Sequence, residues 1–212
     1  AVRDRVPVPV PVLVPRDADH LLVSGEQMAQ LEQQLFARGL PVEALMEKAA
    51  LLVARHLLEH ESLQAGALVL VGPGHNGGDA LVVARELHLA GVAVRIWSPF
   101  ERHKPLTAAH LGHGRWLGIP LLQEAPDPAD GALWIDGLFG IGQRQRPGDA
   151  IENLLLARQR QRPHHLLAVD VPTGLCADRG ICLGAGAAVA HCTTTIGLVK
   201  TGLIQDPALA YV

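Results

Sequence analysis

Along this chain, short near-continuous apolar runs alternate with longer stretches in which apolar positions recur every three or four residues. The first pattern fits strands covered on both faces, and the second fits amphipathic helices. It predicts strands at 67–71, 92–97, 132–136, 165–170 and 188–196, with a short one near Leu121. It predicts helices at 78–90, 107–117 and 149–161. Two further helices precede this alternation. Ser24 to Gln27 reads as a capping box before a helix over 28–38 that Gly39 stops. Pro41 opens the other, over 42–60, with Leu45, Met46, Ala49, Leu52, Val53 and Leu57 at helical spacing. Alternating strands and helices imply a parallel sheet with helices on both sides. The expected organisation is an extended arm over 1–23 and one domain over 24–212. The Val-Pro alternation from Val6 to Pro15 reads as a polyproline-like segment. Residues 208–212 read as an apolar strand starting where the chain stops, which fits a piece of a longer polypeptide.

Composition narrows the function classes. With 212 residues, 49% hydrophobic and 18% charged, the chain suffices for one α/β domain with a full core. A net charge of −3 and only 3% aromatics argue against nucleic acid or an anionic membrane as partner. Cys176, Cys182 and Cys192 form no C-x-x-C, so free thiols in a reducing compartment are expected. No membrane-length apolar run or signal-peptide core is present, and a cytoplasmic location is expected.

Three predicted strands end in loops that carry acids and glycines. The first is Gly-Pro-Gly-His-Asn-Gly-Gly-Asp over 72–79, where Gly72, Gly74 and Gly77 fit G-x-G-x-x-G. That spacing lets backbone N–H groups meet a pyrophosphate at a helix start. The second loop runs Asp-Gly-Leu-Phe-Gly-Ile-Gly from Asp136 to Gly142, and the third runs Asp-Val-Pro-Thr-Gly from Asp170 to Gly174. Singly, Asp79 could serve a helix N-terminus, and Asp136 and Asp170 could each organise a turn. Together they set three acids on the sheet edge where parallel folds bind ligands. Asn76, Asp136 and Thr173 offer hard oxygen donors suited to a group-one or group-two cation.

Other signals are weaker. His110 and His113 lack a third ligand nearby for a metal. The run Gln143-Arg-Gln-Arg146 is either a solvated loop or an arginine fork for phosphate. Lys200, between glycines after a strand, fits solvent exposure and site proximity equally. No G-x-S-x-G elbow supports a serine hydrolase.

The three loops, with Leu-Met-Glu-Lys-Ala at 45–49, resemble the NAD(P)H-hydrate epimerase family, also called the YjeF N-terminal domain. The resemblance implies a Rossmann-like three-layer αβα sandwich, a homodimer and a bound potassium ion. It places Asn76, Asp136 and Thr173 at the ion. It places His75, Asn76, Gly77, Gly78, Asp79, Gly140, Ile141, Gly142, Gln143, Arg144, Gln145, Arg146 and Asp170 at the substrate, hydrated NADH or NADPH. Many bacterial members continue into an ADP- or ATP-dependent dehydratase. Two positions depart from the family pattern. His75 stands where the first Asn is usual, and Gln143-Arg-Gln-Arg146 replaces a Leu-Arg-Gly-Pro-like turn. The implied reaction needs an acid/base group beside C6 of the hydrated nicotinamide, and Asp170 is the expected catalytic residue. A dehydrogenase would want an acid closing the second strand, which ends Arg-Ile-Trp-Ser-Pro at 95–99. A non-catalytic nucleotide-binding or regulatory module on the same fold is the alternative.

Overall fold

The computed structural model describes residues 21–212. The polyproline-like reading of Val6 to Pro15 lies outside them. Ahead of the core come β1 (Leu22–Val23), α1 (Gly25–Ala37) and α2 (Val42–His60). The alternating part follows as β2 (Ala67–Val71), α3 (His75–Leu89), β3 (Val94–Trp97), α4 (Pro105–Trp116) and β4 (Leu121–Leu122). Then come β5 (Leu133–Gly137), α5 (Asp149–Gln161), β6 (Leu166–Val169), β7 (Cys192–Thr194) and β8 (Val199–Lys200). Ser24 caps α1 through the capping box its sequence predicts, with Gln27 N–H donating to Ser24 Oγ at 3.1 Å.

Six strands form one all-parallel sheet in the order β4-β3-β2-β5-β6-β7. Chain order runs outward in opposite directions from the β2–β5 pair, so a crevice opens there beyond the strand ends. Alternate residues of each strand feed two cores. Ala67, Val69 and Val71 pack with Met46, Val53 and Leu57 of α2 and with Val82, Val83 and Leu87 of α3. Leu68 and Leu70 pack with Trp134 and with Ile151, Leu154 and Leu155 of α5. This is the three-layer Rossmann-like α/β sandwich with its helical extension.

Several boundaries differ from the sequence reading. The helix expected from Gly78 starts at His75, because the glycines of its first turn are packed rather than free. A Cβ at Gly78 would crowd the Met46 side chain, at 2.7 Å from Cε. The strand expected over 188–196 shrinks to Cys192–Thr194, and Ala188 and Ala190 are buried outside any strand. Burial and β-pairing are separate demands, and these alanines meet only the first. The strand expected at 208–212 is a 3₁₀ turn, Asp206–Ala210, with Pro207 in its first turn. Leu22 and Val23, assigned to the arm, form β1 and pair in parallel with Val199 and Lys200 of β8.

Candidate active site

The crevice holds a cleft of about 390 Å³ whose lining includes Glu32, His75, Asn76, Asp79, Gly140 and Asp170. A larger apolar groove of about 830 Å³ lies between α1, α2 and residues 194–198, away from the glycine loops. The polar cleft is where the chemistry-bearing side chains converge.

The glycine loop leads straight into α3. Gly72 and Gly77 are required by close approach: a Cβ on Gly72 would strike the Leu138 carbonyl, and one on Gly77 the Gly72 carbonyl. The first N–H groups of α3 have no intrahelical acceptor and open toward the crevice side of β2, as an anion site requires. Asp79 is the fifth residue of α3, beyond its first turn, so the helix-start role considered for it does not apply.

Asp136 closes β5 inside the protein, wholly buried. Its Oδ2 accepts from Thr173 N–H at 2.8 Å, and its Oδ1 accepts from Thr173 Oγ at 2.7 Å and from Leu138 N–H at 3.2 Å. Burial pushes its carboxyl up to about 6, against the pull of those donors. Next to Gly140, both polar atoms of the Asn76 amide are buried without a hydrogen-bond partner among the described residues. A buried amide with no partner costs free energy that a ligand would recover. Asn76 Oδ1, Asp136 and Thr173 are therefore groups that could hold a hard cation. One carboxylate among neutral oxygens suits a single charge better than two.

Asp170 follows β6 with φ +69°, a left-handed conformation uncommon for a residue other than glycine. Three donors hold it there. Lys200 Nζ forms a short ion pair with Oδ1, Ile196 N–H donates to Oδ1 at 3.3 Å, and Ile141 N–H donates to Oδ2 at 3.3 Å. Lys200 is only 1% exposed, and it also donates to Thr195 Oγ at 3.1 Å. Its place is set by β8, which β1 pins. Gly140 leaves room for this arrangement, since a Cβ there would lie 2.9 Å from Asp170 Oδ2 and 3.3 Å from the Asn76 side chain. Two further carboxyls face Asp170. Burial and the Asp170 charge raise Glu32, on α1, and burial with the Asp170 and Glu32 charges raises Asp79 well above the usual carboxylate range. His75 is lowered by burial and by Lys104, so it stands as a neutral ring near pH 7.

The structure thus brings together His75, Asn76, Asp79, Gly140, Ile141, Gly142, Gln143 and Asp170. Gln143 is a tie between loops: its Oε1 accepts from Gly174 N–H at 2.6 Å and its Nε2 donates to the Pro172 carbonyl at 3.4 Å. Gly77 and Gly78 are buried in the helix start. Arg144, Gln145 and Arg146 do not line the cleft. Arg144 is near Asp178 at 3.8 Å, and the Arg146 guanidinium is taken by Glu152 and Asp149 rather than held open as a phosphate fork. Lys200 and Glu32 are site residues that spacing did not reveal. Lys200 flanked by glycines was the available signal, whereas Glu32 looks like any solvated position of an amphipathic helix. At the end of β3, Ser98 hydrogen-bonds the Val71 carbonyl at 2.9 Å and His103 Nε2 at 2.8 Å.

Comparisons with known proteins show the family of the chain. The profile of the family described as YjeF-related protein N-terminus matches residues 42–202. The chain belongs to that family. A Synechocystis protein named bifunctional NAD(P)H-hydrate repair enzyme Nnr is 43% identical over 192 residues, covering 90% of this chain and 36% of its own length. The chain thus spans little more than a third of that relative. A Limosilactobacillus fermentum protein named NAD(P)H-hydrate epimerase is 37% identical over 180 residues, covering 82% of this chain and 83% of its own. The crystal structure of the yeast protein ynu0 shares the fold, with a TM-score of 0.74 at 24% identity over 85% of this chain and 82% of that one. No described helix is long and apolar enough to cross a membrane.

Proposed function

We propose that this member of the YjeF N-terminal family interconverts the S and R epimers of hydrated NADH and NADPH. The observation that carries the reading is Asp170, held by Lys200 and two backbone N–H groups at the cleft, beside a helix start able to anchor a pyrophosphate. A relative that matches this chain over most of its length is named NAD(P)H-hydrate epimerase, and another is named a bifunctional NAD(P)H-hydrate repair enzyme.

The hydrate carries a hydroxyl at C6, next to the ring nitrogen. The N1 lone pair expels it and leaves an iminium cation, and water returns to either face. Asp170 faces that cation, stabilises it by charge, and exchanges the proton of the water at C6. The start of α3 binds the phosphates. Asn76, Asp136 and Thr173 would hold potassium, for which the orphaned Asn76 amide and the buried Asp136 are fitting donors. When bound, the ion supplies fixed positive charge that orders the loops after β2, β5 and β6. A homodimer, a cytoplasmic setting and a companion ADP- or ATP-dependent dehydratase region complete the proposal.

The test follows purified S and R forms of NADPH hydrate by chromatography, in potassium and then in sodium, against a protein-free control. Acceleration that falls by about 10²–10⁴-fold in Asp170→Asn is the expected result. Asn tolerates a positive φ, so this variant keeps the backbone of the site. No acceleration by folded, potassium-loaded protein would leave a non-catalytic nucleotide-binding module as the better reading.

A further inference from the structure

Epimerisation needs a proton at the departing hydroxyl as well as a base for the returning water. Two of the three carboxyls that line the cleft, Asp79 and Asp170, are equipped differently. Asp170 accepts from Lys200 and two backbone N–H groups, so both of its oxygens are already engaged as acceptors. Asp79 lines the same cleft from α3 and accepts no hydrogen bond among the described residues. A carboxyl ringed by donors is a poor source of a proton. A donor-free carboxyl in the same cleft is a good one.

Resting on the epimerase reading, we infer that Asp79 is a second catalytic residue, the general acid that delivers a proton to the C6 hydroxyl while Asp170 serves as base. The proton passes from the Asp79 carboxyl to the C6 oxygen, the C6–O bond breaks, and the oxygen leaves as water. The N1 lone pair becomes the second bond of N1=C6. Water then adds to C6 on the opposite face, that electron pair returns to N1, and the water's proton passes to Asp170. The pair ends with its proton moved from Asp79 to Asp170, and exchange with solvent water returns it to Asp79 before the next turnover. No outside reactant is consumed.

The surroundings support this division. The groups around Asp79 are Glu32 from α1, His75 from its own helix, Lys104 ahead of α4, Asp170 after β6 and Lys200 on β8. Burial and the two acids raise Asp79 well above its usual range, and Lys200 opposes them only in part. The two carboxyls thus differ in what surrounds them: donors at the Asp170 oxygens, burial and negative charge at Asp79. Glu32 is the competitor for the donor role. It lies on the outer helix, whereas Asp79 lies on the helix whose start binds the phosphates.

The deciding experiment measures kcat and KM of potassium-loaded protein with each epimer of NADPH hydrate, for wild type, Asp79→Asn and Glu32→Gln. Asp79→Asn is expected to lose about 10²–10⁴-fold in kcat with KM changed by no more than a few fold. Retained kcat in Asp79→Asn, a loss confined to KM, or a larger kcat loss in Glu32→Gln would each overturn the assignment. As a second variant, Asp79→Ala should recover part of its rate with added imidazole, whose protonated form can carry the missing proton near neutral pH. Absence of that recovery in folded protein also counts against Asp79. A wild type that does not epimerise removes the underlying reading. A wild type that does, beside a fully active Asp79→Asn, removes only this one.

Discussion

At the scale of single residues, Asp79 and Asp170 show how one side-chain type is given two characters by its neighbours. Asp170 gains Lys200 and two N–H donors, whereas Asp79 gains burial and negative charge. The second environment has a thermodynamic signature. A carboxyl raised in the folded state binds its proton more tightly there than when unfolded. Its ionisation therefore subtracts stability as pH rises above the unfolded value of 3.8. Asp79→Asn should melt higher than wild type at pH 7–8, and the difference should vanish as pH falls through the ordinary carboxylate range. Melting curves across pH read this directly, and an Asp79→Asn that melts lower at every pH contradicts it. Such a gain in stability beside a loss of turnover is the trade-off expected of a functional group. The glycine loop, Asp136 and Asp170 were legible in the sequence because strand ends mark them. Lys200 was half legible, since its flanking glycines fit a site and an exposed turn equally, and Glu32 was not, since no local spacing on α1 reports a partner so distant along the chain.

At the scale of elements, the strands were legible because burial on both faces leaves near-continuous apolar runs, as in Ala67–Val71 and Leu166–Val169. Elements that meet only part of that demand misled. Ala188 and Ala190 are buried without strand pairing, and Pro207 turns the apolar C-terminal run into a 3₁₀ turn. The helix α5 hides another feature. Arg158 is buried at 1% exposure, stacks over Trp134 at 4.5 Å, and donates to the carbonyls of Pro128, Asp130, Ala132 and His165. Burial lowers it to about 10, so it remains charged at neutral pH. Arg158→Met would keep the apolar stem and orphan these carbonyls. The expected cost is about 3 kcal/mol or more, or roughly 10 °C in melting temperature. A melt within a degree or so of wild type would mean that water satisfies those groups instead.

At the scale of the molecule, the site is a meeting of loops from β2, β5 and β6 with α1 and β8 at its rim. An ion shared by Asn76, Asp136 and Thr173 would join the three loops, so potassium should stabilise the whole fold. At a hundredfold excess over Kd the gain is about 3 kcal/mol. Thermal melts in potassium against lithium should show it, and Asn76→Ala should abolish the response. Equal melts in both salts would argue against the ion. The pairing of β1 with β8 has a consequence in time. Leu22 leaves the ribosome roughly 10–35 s before its partner Val199 at ordinary elongation rates. A nascent chain halted before Lys200 could already carry the glycine loop, Asp136 and Asp170, yet lack the cation that holds Asp170. Catalytic competence would then arrive late in synthesis of the domain, after its nucleotide-binding loop.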